Sequence, residues 1–227
     1  MITLFCHCSR HSRAIDVATL PKKTPLTKYV LRVESALAEL FAFVRANGVF
    51  NRQVSIQRER LADGAEGTRR TLATMAAAVR GEIAPDYAGY LDERIRRAAL
   101  SICSGILGHH HHAELAALLA YCRDQIAYRL DPVETERVQD PMTTLELQSG
   151  DCDDKCTLLA ALLAAIGHHP RFVAQFNGSE FDHVYCEALV NGEWVALDPT
   201  ADGQQGLHLA GVNWRNPAHS EWTYRIF

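Results

Sequence analysis

The chain has 227 residues, of which 48% are hydrophobic and 22% are charged, and its formal net charge is −4. This composition excludes a fibrous or intrinsically disordered protein and leaves room for one substantial domain with a buried core. The negative net charge argues against binding of nucleic acid through phosphate contacts, so no nucleic-acid partner is predicted.

The distribution of apolar residues and cysteines bears on the compartment. No apolar run reaches the length of a membrane span, and the first residues lack the segments of a secretory signal. The seven cysteines are an odd number without framework-like spacing, which fits reduced thiols. We therefore predict a cytoplasmic protein with no membrane partner, while the oligomeric state is not readable.

The start of the chain shows little periodicity. Residues 1–30 have no clear period and are predicted to form an irregular lead, whose basic residues fit a solvated surface. Residues 34–47 have apolar side chains at helical spacing. Further on, Val54 and Ile56 alternate with polar residues and indicate a possible strand.

A polar stretch at 62–67 contains two glycines and is the best candidate for a domain boundary. We predict an N-terminal accessory segment over 1–66 and a second, larger domain over 67–227. The purpose of the accessory segment is not readable from its residues.

Three amphipathic helices are predicted after this boundary, from about 68 to 79, 92 to 107 and 113 to 127. Residues 128–149 contain two prolines and are predicted to form a link. A fourth helix is predicted from about 153 to 166, because Gly167 is typical of the position that follows a helix end.

The period of the pattern then changes to that of β-strands. Residues 171–176, 183–190 and 194–197 are the three predicted strands, and Asn191-Gly192 between the last two predicts a type I′ hairpin. The aromatic residues of the tail 201–227 predict that it packs back on the core. Helices followed by an antiparallel sheet indicate an α+β domain.

Cys152 lies where the predicted link becomes the fourth helix. Unpaired backbone N–H groups and the positive end of the helix dipole favour a thiolate there, and these N–H groups could hold a developing oxyanion. Gly150 is expected to let the backbone approach a ligand closely. Asp151 and Asp153 suit a helix start and are hard to explain as core residues, but their charges would oppose the thiolate.

His183 lies on a predicted strand, and Asp198 ends the strand that follows the hairpin. Antiparallel pairing can place Asp198 beside His183, where it would hold the imidazole tautomer through a ring N–H. His183 would then accept the proton of Cys152 and later protonate a leaving amine. Taken alone, His183 also fits a half-buried structural histidine, and Asp198 fits a strand-ending turn.

Three blocks of sequence resemble the transglutaminase-like superfamily, in the order of its bacterial branch: SGDCDDK at 149–155, DHVY at 182–185 and NGEWVALDPT at 191–200. The match covers roughly 113–203. The resemblance implies a papain-like core in a catalytic domain over 67–227, with Cys152 as nucleophile, His183 as base and Asp198 as orienting acid. It implies no cofactor and no metal, and it suggests a bacterial or phage origin.

The resemblance implies acyl transfer through a thioester on Cys152, with a protein or peptide as substrate. The leading hypothesis is a cysteine peptidase or amidase, because calcium-site motifs and secretion signals that would suit an extracellular crosslinker are missing from the sequence. The alternatives are a true protein-glutamine transglutaminase and a non-catalytic binding or assembly module on the same scaffold. Gln148 and Tyr128 are weak candidates for a side chain that stabilises the oxyanion.

Other thiols and imidazoles are predicted to have ordinary roles. Cys156 shares a helical face with Cys152 and is expected to pack in the core, with a redox role as the alternative. The histidine tract 109–112 is predicted to be an inert loop or helix lead rather than a metal site. Cys6, His7, Cys8 and His11 lack the second ligand pair of a zinc site.

Overall fold

The structure is a computed structural model. It describes the backbone of residues 3–6, 14–16, 56–59, 65–84, 87–108, 110–131, 136–176, 181–200 and 220–227, and most of the side chains from residue 65 onward. The helix predicted over 34–47 and most of the tail 201–227 lie outside these ranges. The division at residue 66 stays a prediction.

Five α-helices are present in the described residues. They are α1 (Ala65–Arg80), α2 (Glu93–Ile102), α3 (His111–Gln125), α4 (Pro141–Leu147) and α5 (Cys152–Ala165). The three helices predicted over 68–127 are confirmed as α1 to α3, with boundaries that shift by one to five residues. None of the helices in the described residues is long and apolar enough to cross a membrane.

Ten β-strands are present in the same ranges. They are β1 (Thr3–Cys6), β2 (Ala14–Asp16), β3 (Ile56–Glu59), β4 (Ala127–Tyr128), β5 (Glu136–Gln139), β6 (Ser149–Gly150), β7 (His169–Phe176), β8 (Phe181–Val190), β9 (Glu193–Leu197) and β10 (Ser220–Arg225). The main sheet has the order β10-β7-β8-β9-β1-β2, and each of its pairs is antiparallel. The predicted α+β class is therefore confirmed.

Two expectations about irregular segments are wrong. Residues 3–6 and 14–16 form strands that extend the main sheet beyond β9, where an irregular lead was predicted. The predicted link over 128–149 contains β5 and α4. The start of α4 has a signal in the sequence, because Asp140 is its N-cap residue and accepts from the backbone N–H of Met142 and Thr143, while Pro141 takes the first helical position.

α5 is the centre of the core. Leucine and alanine side chains on all sides of it are fully buried, at Leu158, Leu159, Ala160, Ala161, Leu162 and Leu163. A helix that is apolar all round must be covered all round. The sheet covers one side through Val184, Cys186 and Ala188 of β8, and the other helices cover the rest. This burial fixes the position of both ends of α5.

The hairpin and the C-terminal strand form as predicted. Asn191 and Gly192 both have positive φ, 52° and 83°, as a type I′ turn requires. β10 pairs with β7, and Ile226 after it is buried. The prediction that the tail packs back on the core is thus confirmed for residues 220–227.

Candidate active site

Cys152 is the first residue of α5, preceded by Asp151 as an N-cap residue in an extended conformation. The helix was predicted to begin at 153, one residue later. The thiol lies at the end of the helix where backbone N–H groups have no partner within the helix. Its side chain is partly exposed and packs against the core, so it is held in place yet open on one side.

The β8–β9 hairpin brings His183 and Asp198 together. Cys186 pairs with Leu197, so the ladder ends one residue before Asp198. Nε2 of His183 lies 2.5 Å from Oδ2 of Asp198, and both side chains are buried. The pairing expected from the Asn191-Gly192 turn is therefore observed.

The other ring nitrogen of His183 is Nδ1. Nδ1 is buried and has no hydrogen-bond partner among the described residues. The contact between Cys152 and this imidazole is nevertheless close enough to shift the pKa of both groups. His183 thus lies between Cys152 and Asp198, and the three predicted site residues meet in one place.

The charges of His183 and Asp198 stabilise each other. Burial alone would lower the pKa of His183, but the carboxylate of Asp198, and to a smaller degree Cys152, raise it to about 10. Burial alone would raise the pKa of Asp198, but His183 and Thr200 hold it below its usual value. Contact with Asp198 thus favours the charged form of the imidazole.

The pKa of Cys152 is raised above its usual value. Burial is the main cause, and the charge of Asp151 adds to it. Contact with His183 and a backbone hydrogen bond from Val184 act in the opposite direction. The thiolate therefore forms only as the partner of a positively charged His183, which makes Cys152 depend on that histidine.

Thr200 holds Asp198 in position, a role that the sequence reasoning missed. Its backbone N–H and its hydroxyl both donate to Oδ1 of Asp198, at 2.8 and 2.6 Å. Oδ2 is then directed at His183. The signal was present in the sequence, because Asp-Pro-Thr is typical of a turn in which an aspartate accepts from the residue two positions ahead.

Asp153 is buried, contrary to the expectation that it does not belong to the core, whereas Asp151 is only partly buried. Asp153 is 4% exposed, Asp154 1% and Lys155 2%. Burial, together with the charge of Asp151, raises the pKa of Asp153 and Asp154 well above the usual value. Of the two acids that flank Cys152, Asp151 is the one whose charge raises the pKa of the thiol.

Gly150 packs against Asp154 within the protein, and the expectation that it lets the backbone approach a ligand closely stays a prediction. A Cβ atom added at Gly150 would lie 2.4 Å from Cβ of Asp154, so this side chain fills the space. Asp154 in turn accepts from the backbone N–H of Gln139 at 2.7 Å and from its amide nitrogen at 2.5 Å. These contacts tie β5 to the first turn of α5.

The hydrogen bonds of this turn limit where an oxyanion could be held. The N–H of Asp154 donates to Oδ1 of Asp153, and the N–H of Lys155 donates to the carbonyl of Asp151. This leaves the N–H groups of Cys152 and Asp153 as the backbone candidates in the first turn of α5.

The side-chain candidates for an oxyanion donor stay predictions. Gln148 adopts a left-handed conformation that ends α4, and Tyr128 pairs with Gly150 between β4 and β6. A further amide, which the sequence reasoning missed, lies across the ladder from His183. Gln175 is 1% exposed, and its Nε2 has no hydrogen-bond partner among the described residues.

The structure also shows the positions of some of the other cysteine and histidine side chains. Cys156 is fully buried and donates to the carbonyl of Val184, so the expectation of core packing is confirmed. The side chains of Cys6, His7, Cys8 and His11 lie outside the described residues.

Within the described residues, two groups of side chains bring three metal-ligand atoms within 4.8 Å of one another. One group is Asp151, Asp153 and Asp154 beside Cys152, and the other is His111, Glu114 and His168 at the other end of α5.

The fold and the site agree with a comparison to protein families. Residues 103–199, which include Cys152, His183 and Asp198, match the family model described as the transglutaminase-like superfamily. The match covers less than half of the chain, in the segment that contains α3, α4, α5 and the β7–β9 part of the sheet, and this segment is similar to that superfamily. The family resemblance of the three sequence blocks is confirmed.

Curated relatives are similar to part of the chain. Two of them are named peptide-N(4)-(N-acetyl-β-glucosaminyl)asparagine amidase. The protein from Eremothecium gossypii is 30% identical over 86 residues, 37% of this chain and 23% of the relative. The protein from Saccharomyces cerevisiae is 30% identical over 80 residues, 34% of this chain and 21% of the relative. The chain thus spans less than a quarter of the length of these relatives.

Two solved structures are similar in backbone structure to part of the chain. One is described as a candidate protease from Parabacteroides distasonis, with a TM-score of 0.44 and 15% identity, over 56% of this chain and 26% of that chain. The other is described as a candidate cysteine protease from Cytophaga hutchinsonii, with a TM-score of 0.41 and 16% identity, over 64% of this chain and 48% of that chain.

Proposed function

We propose that this chain hydrolyses amide bonds of peptide or protein substrates, with Cys152 as nucleophile, His183 as acid and base, and Asp198 as the group that orients the imidazole. One observation carries the proposal. The Nε2 atom of buried His183 lies 2.5 Å from Asp198, while its Nδ1 atom has no other partner among the described residues and is left for the thiol.

The reaction begins with transfer of the Cys152 proton to His183. The sulfur then attacks the carbonyl carbon of the amide, and a C–S bond forms as the carbonyl oxygen becomes an oxyanion. The N–H groups of Cys152 and Asp153 are the proposed donors to this oxygen. His183 gives its proton to the amide nitrogen, the C–N bond breaks, and an amine leaves while a thioester stays on Cys152.

Water completes the cycle. His183 removes a proton from a water molecule, whose oxygen attacks the thioester carbon, and the C–S bond then breaks. A carboxylic acid leaves, and the proton on His183 returns to the sulfur. The raised pKa of His183 supports the first proton transfer, because it makes the imidazole a stronger base than a free histidine.

The names of the curated relatives favour a second candidate within the same chemistry. They are called amidases of asparagine that carries an N-acetylglucosaminyl group, and the similarity covers 86 residues at 30% identity. The amide cleaved would then be a glycosylated asparagine side chain rather than a peptide bond. The same nucleophile, base and oxyanion donors would serve either amide.

Incubation of the chain with a peptide library and with an N-glycosylated protein tests the proposal. Mass spectrometry should detect new peptide termini, or conversion of glycosylated asparagine to aspartate. Cys152→Ala should abolish the products, whereas Cys103→Ser, at another partly exposed cysteine, should keep at least half of the activity. A parallel reaction with a primary amine distinguishes hydrolysis from crosslinking, because an amide product of that amine would identify a transglutaminase.

Two results would contradict the hydrolase. Products that survive Cys152→Ala would assign the activity to another group. A chain without any product, whose Cys152 reacts with iodoacetamide no faster than Cys103, would instead favour a non-catalytic binding module.

A further inference from the structure

Three side chains from two parts of the chain meet at the C-terminal end of α5. His111 and Glu114 lie in the first turn of α3, three residues apart, and therefore on one face of that helix. His168 follows Gly167, whose φ of 93° turns the chain at the end of α5. This turn carries His168 to Glu114 across 54 residues of sequence.

The distances among these side chains match those of a metal site. Oε2 of Glu114 lies 3.0 Å from Nε2 of His168 and 3.3 Å from Nδ1 of His111. Tetrahedral zinc with bonds of about 2.0–2.1 Å separates its ligand atoms by about 3.3 Å. The separation of 3.3 Å has this value, that of 3.0 Å is slightly shorter, and all three lie within 4.8 Å. A small rotation of the two rings would complete the triangle.

The solvent exposure and the charge of these three side chains also suit a bound cation. The side chain of His168 is 6% exposed, that of Glu114 19% and that of His111 41%, so the cluster opens to solvent on the side of His111. Burial lowers the pKa of His168, and the neutral imidazole is the form that binds a metal. The carbonyl end of α5 nearby carries partial negative charge, which favours a cation.

We propose that His111, Glu114 and His168 bind a divalent transition-metal ion, with water as the fourth ligand on the exposed side. Two imidazoles and one carboxylate form a donor set that suits zinc. The ion would tie the start of α3 to the end of α5. This site is independent of the proposed amide chemistry, because it uses no residue near Cys152.

The alternative is a hydrogen-bonded cluster in which Glu114 accepts from both imidazoles without an ion. The histidine tract itself is a second alternative, because His110 and His112 could bind a metal weakly through their exposed rings. Neither ring belongs to the group of atoms within 4.8 Å. Variants of these two positions are therefore matched controls.

Calorimetric titration with ZnCl2 tests the proposal on the full chain purified without a histidine tag. A Cys152→Ala background removes the thiol that would compete for zinc. We expect one equivalent of zinc to bind. Glu114→Gln and His111→Ala should each weaken binding by at least about 10-fold, because loss of a ligand costs no less than loss of an outer-shell partner. His110→Ala with His112→Ala should change the affinity by less than about threefold.

Two results would overturn the proposal. One is the absence of zinc binding to the background protein at millimolar zinc, which would leave Glu114 as a hydrogen-bond acceptor only. The other is an affinity that is lost in the His110→Ala, His112→Ala variant but kept in Glu114→Gln, which would assign the metal to the tract.

Cobalt spectroscopy keeps the proposal testable if a variant does not fold. Co²⁺ bound to the proposed ligands should give the visible bands of a tetrahedral ion without a thiolate charge-transfer band. A thiolate band would place the metal on a cysteine such as Cys103, whose Sγ lies 4.0 Å from the backbone oxygen of Glu114, and would overturn the assignment. Circular dichroism of each variant separates loss of binding from loss of folding.

Discussion

The two ends of α5 hold titratable side chains in different surroundings. At the N-terminal end, Cys152 and His183 lie beside carboxyl groups that are almost completely buried. At the C-terminal end, Glu114 and His168 lie in a cluster that opens to solvent. One buried helix of 14 residues, about 21 Å long, thus positions both groups.

The difference follows from the helix and from burial. Unpaired N–H groups favour an anion at the start of α5, and unpaired carbonyl groups favour a cation at its end. Burial then decides the protonation of the neighbours. Burial raises the pKa of Asp153 and Asp154 well above the usual value, whereas His183 and Thr200 hold the pKa of Asp198 below it. The pKa of a buried carboxyl group is thus lowered where the group has a cationic partner.

Substitution of His183 should have the largest effect on the N-terminal end. His183→Ala removes the contact that lowers the pKa of Cys152, while burial and Asp151 continue to raise it. We expect amide hydrolysis to fall by roughly 10⁴-fold and alkylation of Cys152 at pH 7 to slow. Alkylation followed by mass spectrometry measures the second effect.

His112→Ala is the matched control for this variant, because His112 is exposed and belongs to the other end of α5. It should behave as the unchanged chain does. Equal alkylation rates in the unchanged chain and in His183→Ala would show that the thiol does not depend on this imidazole.

Removal of the Asp198 charge should have the next largest effect, and the quantity that it changes is the stability of the folded chain. The pKa of His183 in the folded chain is about 10, above its usual 6.5, so its stabilising contribution is complete below pH 6.5 and is lost as the pH rises to 10. The pKa of Asp198 is below its usual 3.8, so its contribution is lost as the pH falls below about 4. Asp198→Asn should therefore cost roughly 3 kcal/mol between about pH 4 and 6.5.

Urea denaturation of both chains at several pH values measures this difference. The two stabilities should converge toward pH 10, where His183 in the unchanged chain also loses its proton. A difference that stays constant from pH 5 to 10 would mean that packing, and not the ion pair, accounts for the cost of Asp198→Asn.

Substitution of Gly150 tests whether Asp154 fills the space above it. Gly150→Ala places a methyl group 2.4 Å from Cβ of Asp154, a contact that requires the helix start to shift. We expect a loss of roughly 2 kcal/mol in the free energy of unfolding. Gly108→Ala is the control, because nothing lies within 4 Å of its added methyl group. Equal stability of the two variants would contradict the close packing at Gly150.

The sequence predicts the local parts of this site well. The position of Cys152 at a helix start and the pairing of His183 with Asp198 follow from short patterns, an apolar helical run and an Asn-Gly turn. The helix α4 was missed because two prolines in the segment 128–149 were interpreted as a link, although Asp140-Pro141 is a helix-start signal.

Burial of charged side chains and contacts between distant residues could not be predicted in this way. Charges at 151–155 indicate a solvated helix start, and only the fold shows that Gln139 stabilises Asp154 and covers it. In the same way, His168 and Glu114 belong to no common motif, because 54 residues separate them. Such contacts depend on how α3 and α5 pack.

The smallest effect should come from a change at the C-terminal end of α5, measured at the N-terminal end. Glu114→Gln removes the charge between the two imidazoles, about one helix length from Cys152. Sites farther apart than about 10 Å that share no partners usually act independently. Amide hydrolysis and the alkylation rate of Cys152 should therefore stay within about twofold of the unchanged chain, with or without added zinc. A larger change at equal stability would mean that α5 transmits the state of one end to the other, and the two ends would then have to be treated as one coupled site.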